Sequence, residues 1–265
     1  MNPDIEARLG NIQHALFDFD GTISVMREGW EEVMLPVMLE SIGGGKPIAA
    51  EIKKEVRDYI DRSTGILTIR QMQWLVEAVH KYGLVANPLT AFEYKAIYLE
   101  RLMVRVNERI EAVRQGKVTP VDMMMAGAFE FIKRFHAAGI ILYLASGTDH
   151  KDVVNEASVL GVAPYITGGV YGALDQSEVN GKERVIQRIL DDHNLSGNQL
   201  LVVGDGPVEI REAKVRGAIA LGVASNEIVR SGWNLHKVTR LTDAGVDLMV
   251  PDFSHYSELF SFLCE

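Results

Sequence analysis

Asp18 and Asp20 stand two residues apart in the run His14-Ala15-Leu16-Phe17-Asp18-Phe19-Asp20-Gly21-Thr22. Residues 15–17 and Phe19 are apolar, which predicts a short buried strand running out into a Gly-containing turn. Residues two apart on a strand face the same side, so the two carboxylates aim at one point where the strand ends. Two like charges that close do not both stay ionised in a dry site without a cation. Either one is protonated or a metal lies between them, and both states suit a catalytic pair better than a structural one. An Asp-x-Asp-Gly run also opens an EF-hand calcium loop. Counting from Asp18, however, the sixth position, which wants Gly, is Ile23, and the twelfth, which wants Glu, is Gly29. The plain structural alternative is a polar strand exit, with Gly21 turning the chain and Thr22 capping a helix.

Three later stretches carry further reactive side chains. Ala145-Ser146-Gly147-Thr148 follows the apolar run 140–144, and a hydroxyl with free N–H groups at a helix start suits phosphate. Gly204-Asp205-Gly206-Pro207-Val208-Glu209 follows the apolar run 200–203 and adds two acids. Between them, Asn180-Gly181-Lys182 opens a helix and brings one ammonium. Taken singly, Ser146 reads more readily as an N-cap and Lys182 as a surface charge.

The elements that must carry these residues explain why they belong together. From about residue 119 the sequence alternates. Helices are predicted near 122–138, 149–160, 182–193, 208–216, 235–243 and from 256, and strands near 140–145, 165–171, 200–203, 218–223 and 247–250. Such alternation gives right-handed crossovers and a parallel sheet covered on both faces. Residues 26–115 have a different texture: helical spacing throughout, with apolar faces such as Tyr94, Tyr98, Leu102, Val106, Ile110 and Val113. Arg101, Arg105 and Arg109 recur every fourth residue there and read as a solvated face. The expected fold is therefore α/β, a Rossmann-like doubly wound parallel sheet formed by residues 1–25 and 116–265, with an all-helical domain, 26–115, inserted after the first strand. In open parallel sheets ligands bind beyond the carboxyl ends of the strands. Asp18 and Asp20, Ser146 and Gly147, and Asp205 and Glu209 all fall at such ends.

Composition bounds the function. The 265 residues are 47% hydrophobic, enough for a substantial core. A formal charge of -9 argues against nucleic acid or an anionic membrane as main partner. A small anionic substrate in a locally positive pocket is compatible with it. The single cysteine, Cys264, excludes an intramolecular disulfide and a cysteine zinc site. Residues 1–10 lack a signal pattern and no stretch reaches membrane-span length, so the cytoplasm is the expected compartment. Oligomeric state is not legible.

In this order, Asp-Phe-Asp-Gly-Thr, Ser-Gly-Thr after a strand, a lone Lys, and Gly-Asp-x-x-x-acid resemble the haloacid-dehalogenase-like (HAD) superfamily. The helical insertion falls where its C1 caps fall, as in members of phosphoglycolate phosphatase and β-phosphoglucomutase type. One departure is Glu209, where many members carry Asp. The resemblance implies a Mg²⁺-dependent phosphatase acting on a small phosphorylated metabolite. Asp18 would be the nucleophile that forms an aspartyl-phosphate, and Asp20 the acid and then the base. Ser146, Gly147 and Lys182 would hold the phosphoryl group. Mg²⁺ would be held by Asp18, the Asp20 carbonyl and Asp205, with Glu209 bound directly or through water. A phosphomutase of the β-phosphoglucomutase type shares every core residue. A non-catalytic phospho-ligand sensor is the alternative of a different class, disfavoured because a sensor has no need of Asp20. Two insertion segments are expected to reach the leaving group: Val25-Met26-Arg27-Glu28, through Arg27, and Ser63-Thr64-Gly65-Ile66-Leu67-Thr68, through Thr64. The structural alternative for the second is a helix connector with Thr68 as N-cap.

Overall fold

The computed structural model describes residues 5–173 and 181–265; Asn180 and residues 1–4 lie outside them. Six parallel strands form one sheet in the order β3-β2-β1-β4-β5-β6. They are β1 (His14–Asp18), β2 (Ile141–Asp149), β3 (Gly169–Ala173), β4 (Leu200–Gly204), β5 (Ile219–Val223) and β6 (Leu248–Val250). β1 is central and fully buried, pairing β2 from His14↔Ile141 to Asp18↔Ala145 and β4 from His14↔Leu200 to Phe17↔Val203. The strand order reverses between β1 and β4, which opens a crevice beyond their carboxyl ends. Asp18 ends β1 and Asp205 follows β4, so the topology itself brings these two carboxylates together.

The two faces of the sheet bury alternate residues, as the period of two requires. Ala15, Phe17, Leu142, Leu144, Leu201 and Val203 share one apolar cluster with the helices α5 (Ala128–Ala137), α6 (His150–Val159) and α10 (Tyr256–Cys264). Leu16, Tyr143, Leu200 and Val202 share the other with α7 (Lys182–Asp192), α8 (Pro207–Val215) and α9 (Leu235–Asp243). Between β1 and β2 come the four insertion helices, α1 (Trp30–Gly43), α2 (Ala50–Arg62), α3 (Thr68–Tyr82) and α4 (Ala91–Arg114). Their apolar faces are those the spacing predicts, and they join the first cluster without a break through Ile23, Val25 and Met26. No described helix is long and apolar enough to cross a membrane.

Several local expectations are corrected. The helix expected near 122–138 begins at Ala128, because residues 123–125 pair instead with the outgoing link. The N–H of Val25 donates to Met123 O (3.0 Å) and that of Met125 to Ile23 O (2.9 Å). The strand expected from 165 begins at Gly169, behind a 3-10 turn, Ala163–Tyr165, that contains Pro164. Arg101 and Arg105 do lie on an exposed face, paired with Glu40 and Glu32. Arg109 does not. Its Nη1 donates to the carbonyls of Val25, Met26 and Glu28, and its Nη2 to the Glu28 carboxylate, clamping the link into the insertion.

Candidate active site

Asp18 is 6% exposed at the end of β1. Lys182 Nζ lies 2.7 Å from its Oδ1 and 2.9 Å from Glu209 Oε2. Burial pushes the Asp18 carboxyl well above the usual range, against the pull of Lys182 and with the push of Glu209 and Asp205. Burial alone would lower Lys182, but Asp18 and Glu209 outweigh it and hold the ammonium charged. Lys182 is the first residue of α7, where a helix dipole disfavours a cation; the two carboxylates are what keep it there.

Asp205 stands just past β4, with Lys237 Nζ 2.6 Å from its Oδ2 and 2.8 Å from Glu227 Oε1. Although burial alone would raise it, Lys237 and Arg240 hold this carboxyl below its ordinary value. The Thr22 hydroxyl sits between the two acids, 3.2 Å from Asp18 Oδ2 and 3.4 Å from Asp205 Oδ1. Glu209 lies in the first turn of α8, and its Oε1 accepts the N–H of Gly206 at 2.8 Å. One oxygen from each of Asp18, Asp205 and Glu209 lies within 4.8 Å of the others. Gly21 permits this approach: its φ is +77°, and a Cβ there would stand 2.5 Å from Asp205 Oδ2.

Asp20 belongs to a second set of partners. Its Oδ2 accepts from Ser146 Oγ at 2.9 Å and from Thr148 Oγ1 at 3.0 Å. Its Oδ1 is buried without a hydrogen bond, 3.7 Å from Arg27 Nε. The like charges of Asp18 and Asp20 are thus each met by a side-chain cation from elsewhere in the chain, Lys182 and Arg27, which is a third way to relieve their repulsion beside protonation and a metal. Both line one pocket, together with Ser146, Gly147, Asp205, Lys237 and Arg240 from the sheet end and Trp30, Glu31, Thr64, Gln71 and Tyr98 from the insertion.

The structure therefore brings Asp18, Lys182, Asp205 and Glu209 into one cluster and Asp20, Ser146 and Arg27 into an adjoining one. Ser146 is not a helix cap and does not sit at a helix start, because β2 continues to Asp149 and α6 begins at His150. Arg27 is 5% exposed. Its Nη2 and Nε donate to Glu156 (2.6 and 3.2 Å), and Asp152 is 3.5 Å away. Burial pushes Glu156 up to about 7 in spite of Arg27. The Thr64 hydroxyl donates its proton toward Asp61 O (3.0 Å), with Ile60 O at 3.3 Å as the other acceptor in reach, and accepts from Arg240 Nη1 at 3.0 Å. Arg240 also reaches Asp205 O at 3.3 Å, tying the insertion to the carboxyl edge of the sheet. Thr68 is not an N-cap; Leu67 takes that place, and the Thr68 hydroxyl turns to Gly147 O.

Sequence reasoning missed Lys237, Glu227 and Arg240, the bond from Thr148 to Asp20 and the bridging role of Thr22. Lys237 and Arg240 sit on an amphipathic helix and carry no local signal beyond charge. Thr22 was legible only as a cap.

Gly147 shows how closely the insertion is seated. A Cβ there would stand 2.3 Å from the carbonyl oxygen of Ile66. We expect Gly147→Ala to lift the 63–68 segment off the sheet edge while the fold persists. The check is amide hydrogen exchange over that segment, which should speed up in the variant; unchanged protection would show that the segment is not held by this contact.

A family model described as haloacid dehalogenase-like hydrolase matches residues 12–217. The chain belongs to the haloacid dehalogenase-like hydrolase family. Solved structures of similar fold include a predicted phosphoglycolate phosphatase from Haemophilus somnus, 18% identical with a TM-score of 0.58, covering 94% of this chain and 98% of that one. A β-phosphoglucomutase from Clostridium difficile is 13% identical with a TM-score of 0.58, covering 94% and 99%. CbbY from Rhodobacter sphaeroides, solved with phosphate, is 17% identical with a TM-score of 0.59, covering 95% and 99%. No curated protein matches the chain.

Proposed function

We propose that this HAD-family hydrolase is a Mg²⁺-dependent phosphatase of the cytoplasm that acts on a small phosphorylated metabolite through an aspartyl-phosphate. The observation that carries the reading is the arrangement around Asp18. This buried carboxylate ends the central strand, clustered with the Lys182 ammonium and the carboxylates of Asp205 and Glu209, and Asp20 lines the same pocket. The phosphate bound to CbbY is consistent with this substrate class.

Asp18 attacks phosphorus through a carboxylate oxygen, and the ester oxygen departs. Asp20 gives that oxygen its proton and then takes one from the water that attacks the acyl phosphate. Its unbonded Oδ1 is the atom free to do so, because Ser146 and Thr148 fix Oδ2. Lys182 and the N–H groups near Gly147 are assigned to the phosphoryl oxygens, with the Ser146 hydroxyl joining them once it turns from Asp20, so most of the catalysis is placement and charge. The donor set of Asp18, Asp205 and Glu209, all oxygen and all buried, fits a hard divalent cation, with the Asp20 carbonyl as a further donor. Mg²⁺ bound there supplies positive charge that holds Asp18 ionised and offsets its repulsion of the phosphate. Arg27 and Thr64 are proposed to influence specificity. Arg27 would do so from the pocket wall beside Asp20, and Thr64 through its tie to Arg240.

Phosphate release from an aryl phosphate should require Mg²⁺ and stop in chelator. Undiminished release in chelator would overturn the metal assignment, and no release under any condition would favour the sensor reading.

A further inference from the structure

We infer that Tyr98 and Gln71, on the helical insertion, read hydroxyl groups of the leaving group, so that the substrate is the phosphate ester of a small, neutral, polyhydroxylated compound. This deepens the phosphatase reading and rests on it. Tyr98 on α4 is 3% exposed and Gln71 on α3 is 4% exposed, yet both line the pocket that holds Asp18 and Asp20. The Tyr98 hydroxyl has no hydrogen bond among the described residues. Buried polar groups in folded proteins are paired, so this one needs a partner that the pocket's occupant can provide.

The orientation of Gln71 follows from its neighbour. Ser63 Oγ donates its one proton to Ile60 O at 3.2 Å, so toward Gln71 it can only accept. The atom 3.2 Å away is therefore the Gln71 amide nitrogen, and the amide oxygen is left without a partner among the described residues. Gln71 thus offers the pocket an acceptor, and the Glu31 carboxylate, exposed at the mouth of the same wall, offers another. Acceptors call for a ligand that donates. Hydroxyl groups donate, and they can also accept from Tyr98. A carboxylate brings only acceptors and would leave the Gln71 oxygen unpaired, and the lining cations Arg27, Lys237 and Arg240 are each already paired with a carboxylate of the chain. Trp30 and Leu102 in the lining give a carbon skeleton an apolar surface.

The test uses Asp18→Asn in Mg²⁺, so that binding is measured without turnover. Titration calorimetry compares alditol phosphates of three to six carbons with alkyl, aminoalkyl and carboxyalkyl phosphates of matched length. At least one alditol phosphate should bind about tenfold tighter than its alkyl partner, since a site built to bond a hydroxyl rejects the analogue that lacks it. Adding Tyr98→Phe should remove that margin and leave alkyl phosphate binding unchanged. Gln71→Leu should do the same, with thermal melting to confirm its fold; where it does not fold, Tyr98→Phe decides. The inference is overturned if no alditol phosphate exceeds its alkyl partner, if an aminoalkyl or carboxyalkyl phosphate binds best, or if Tyr98→Phe weakens all series alike. Selective alditol phosphate binding by Asp18→Asn, with no phosphate released by the parent enzyme, would sink the phosphatase reading and leave only the recognition of hydroxyl groups by Tyr98 and Gln71 standing.

Discussion

Asp18→Asn should lower turnover by roughly 10⁴-fold or more, the scale on which loss of a nucleophile acts. It should also melt within about 4 °C of the parent. The two expectations come from one observation. Asp18 is buried among groups that make its charged form costly, with burial the largest of them. An amide of the same shape removes that cost while it removes the nucleophilic oxygen, so stability and activity separate. A variant that keeps a tenth of the parent activity would mean that another group attacks phosphorus.

The second large effect is expected at Lys182. Its ammonium serves Asp18 and Glu209 at once from a 5% exposed position. Lys182→Met keeps the length and removes the charge, leaving two buried carboxylates without their cation. Breaking a buried pair in this way costs about 3–5 kcal/mol, and if Lys182 donates to a phosphoryl oxygen as proposed, its loss should lower turnover by about 10²–10³-fold. The pH dependence has a definite sign. Asp18 has a folded-state pKa above its unfolded value, so its contribution favours folding below the ordinary carboxylate range and is lost as pH rises through the raised value. Without Lys182 that rise is larger, so the deficit of Lys182→Met should be greatest near neutrality and should shrink in acid. Denaturant melts at several pH values measure this. A deficit independent of pH would mean that the lysine acts by packing.

What the sequence revealed divides along physical lines. The strands were legible because a buried parallel strand is a short apolar run, and Asp18, Ser146 and Asp205 were legible because each stands where such a run ends. The helical insertion was legible from its apolar periodicity. The positions of α5 and β3 were missed by several residues. The α5 start is set by pairing of residues 123–125 with a segment a hundred residues earlier, which no local pattern encodes. Lys237, Arg240 and Tyr98 reach the site from helices whose local sequence reads only as charge or core. Their relevance comes from tertiary placement. Arg27 was singled out for lying next to the catalytic loop, and it does line the pocket, but the Glu156 carboxylate that occupies two of its nitrogens is 129 positions away in the chain.

The central claim is that Asp18 becomes phosphorylated while Asp20 handles the protons. Asp20→Asn tests it most directly, because an aryl leaving group departs without help from an acid whereas water still needs a base. After a short exposure to an aryl phosphate and an acid quench, peptide mass spectrometry should find one added phosphoryl group, located on Asp18. Release of phosphate with the Asp18 peptide unmodified at every quench time would contradict the account.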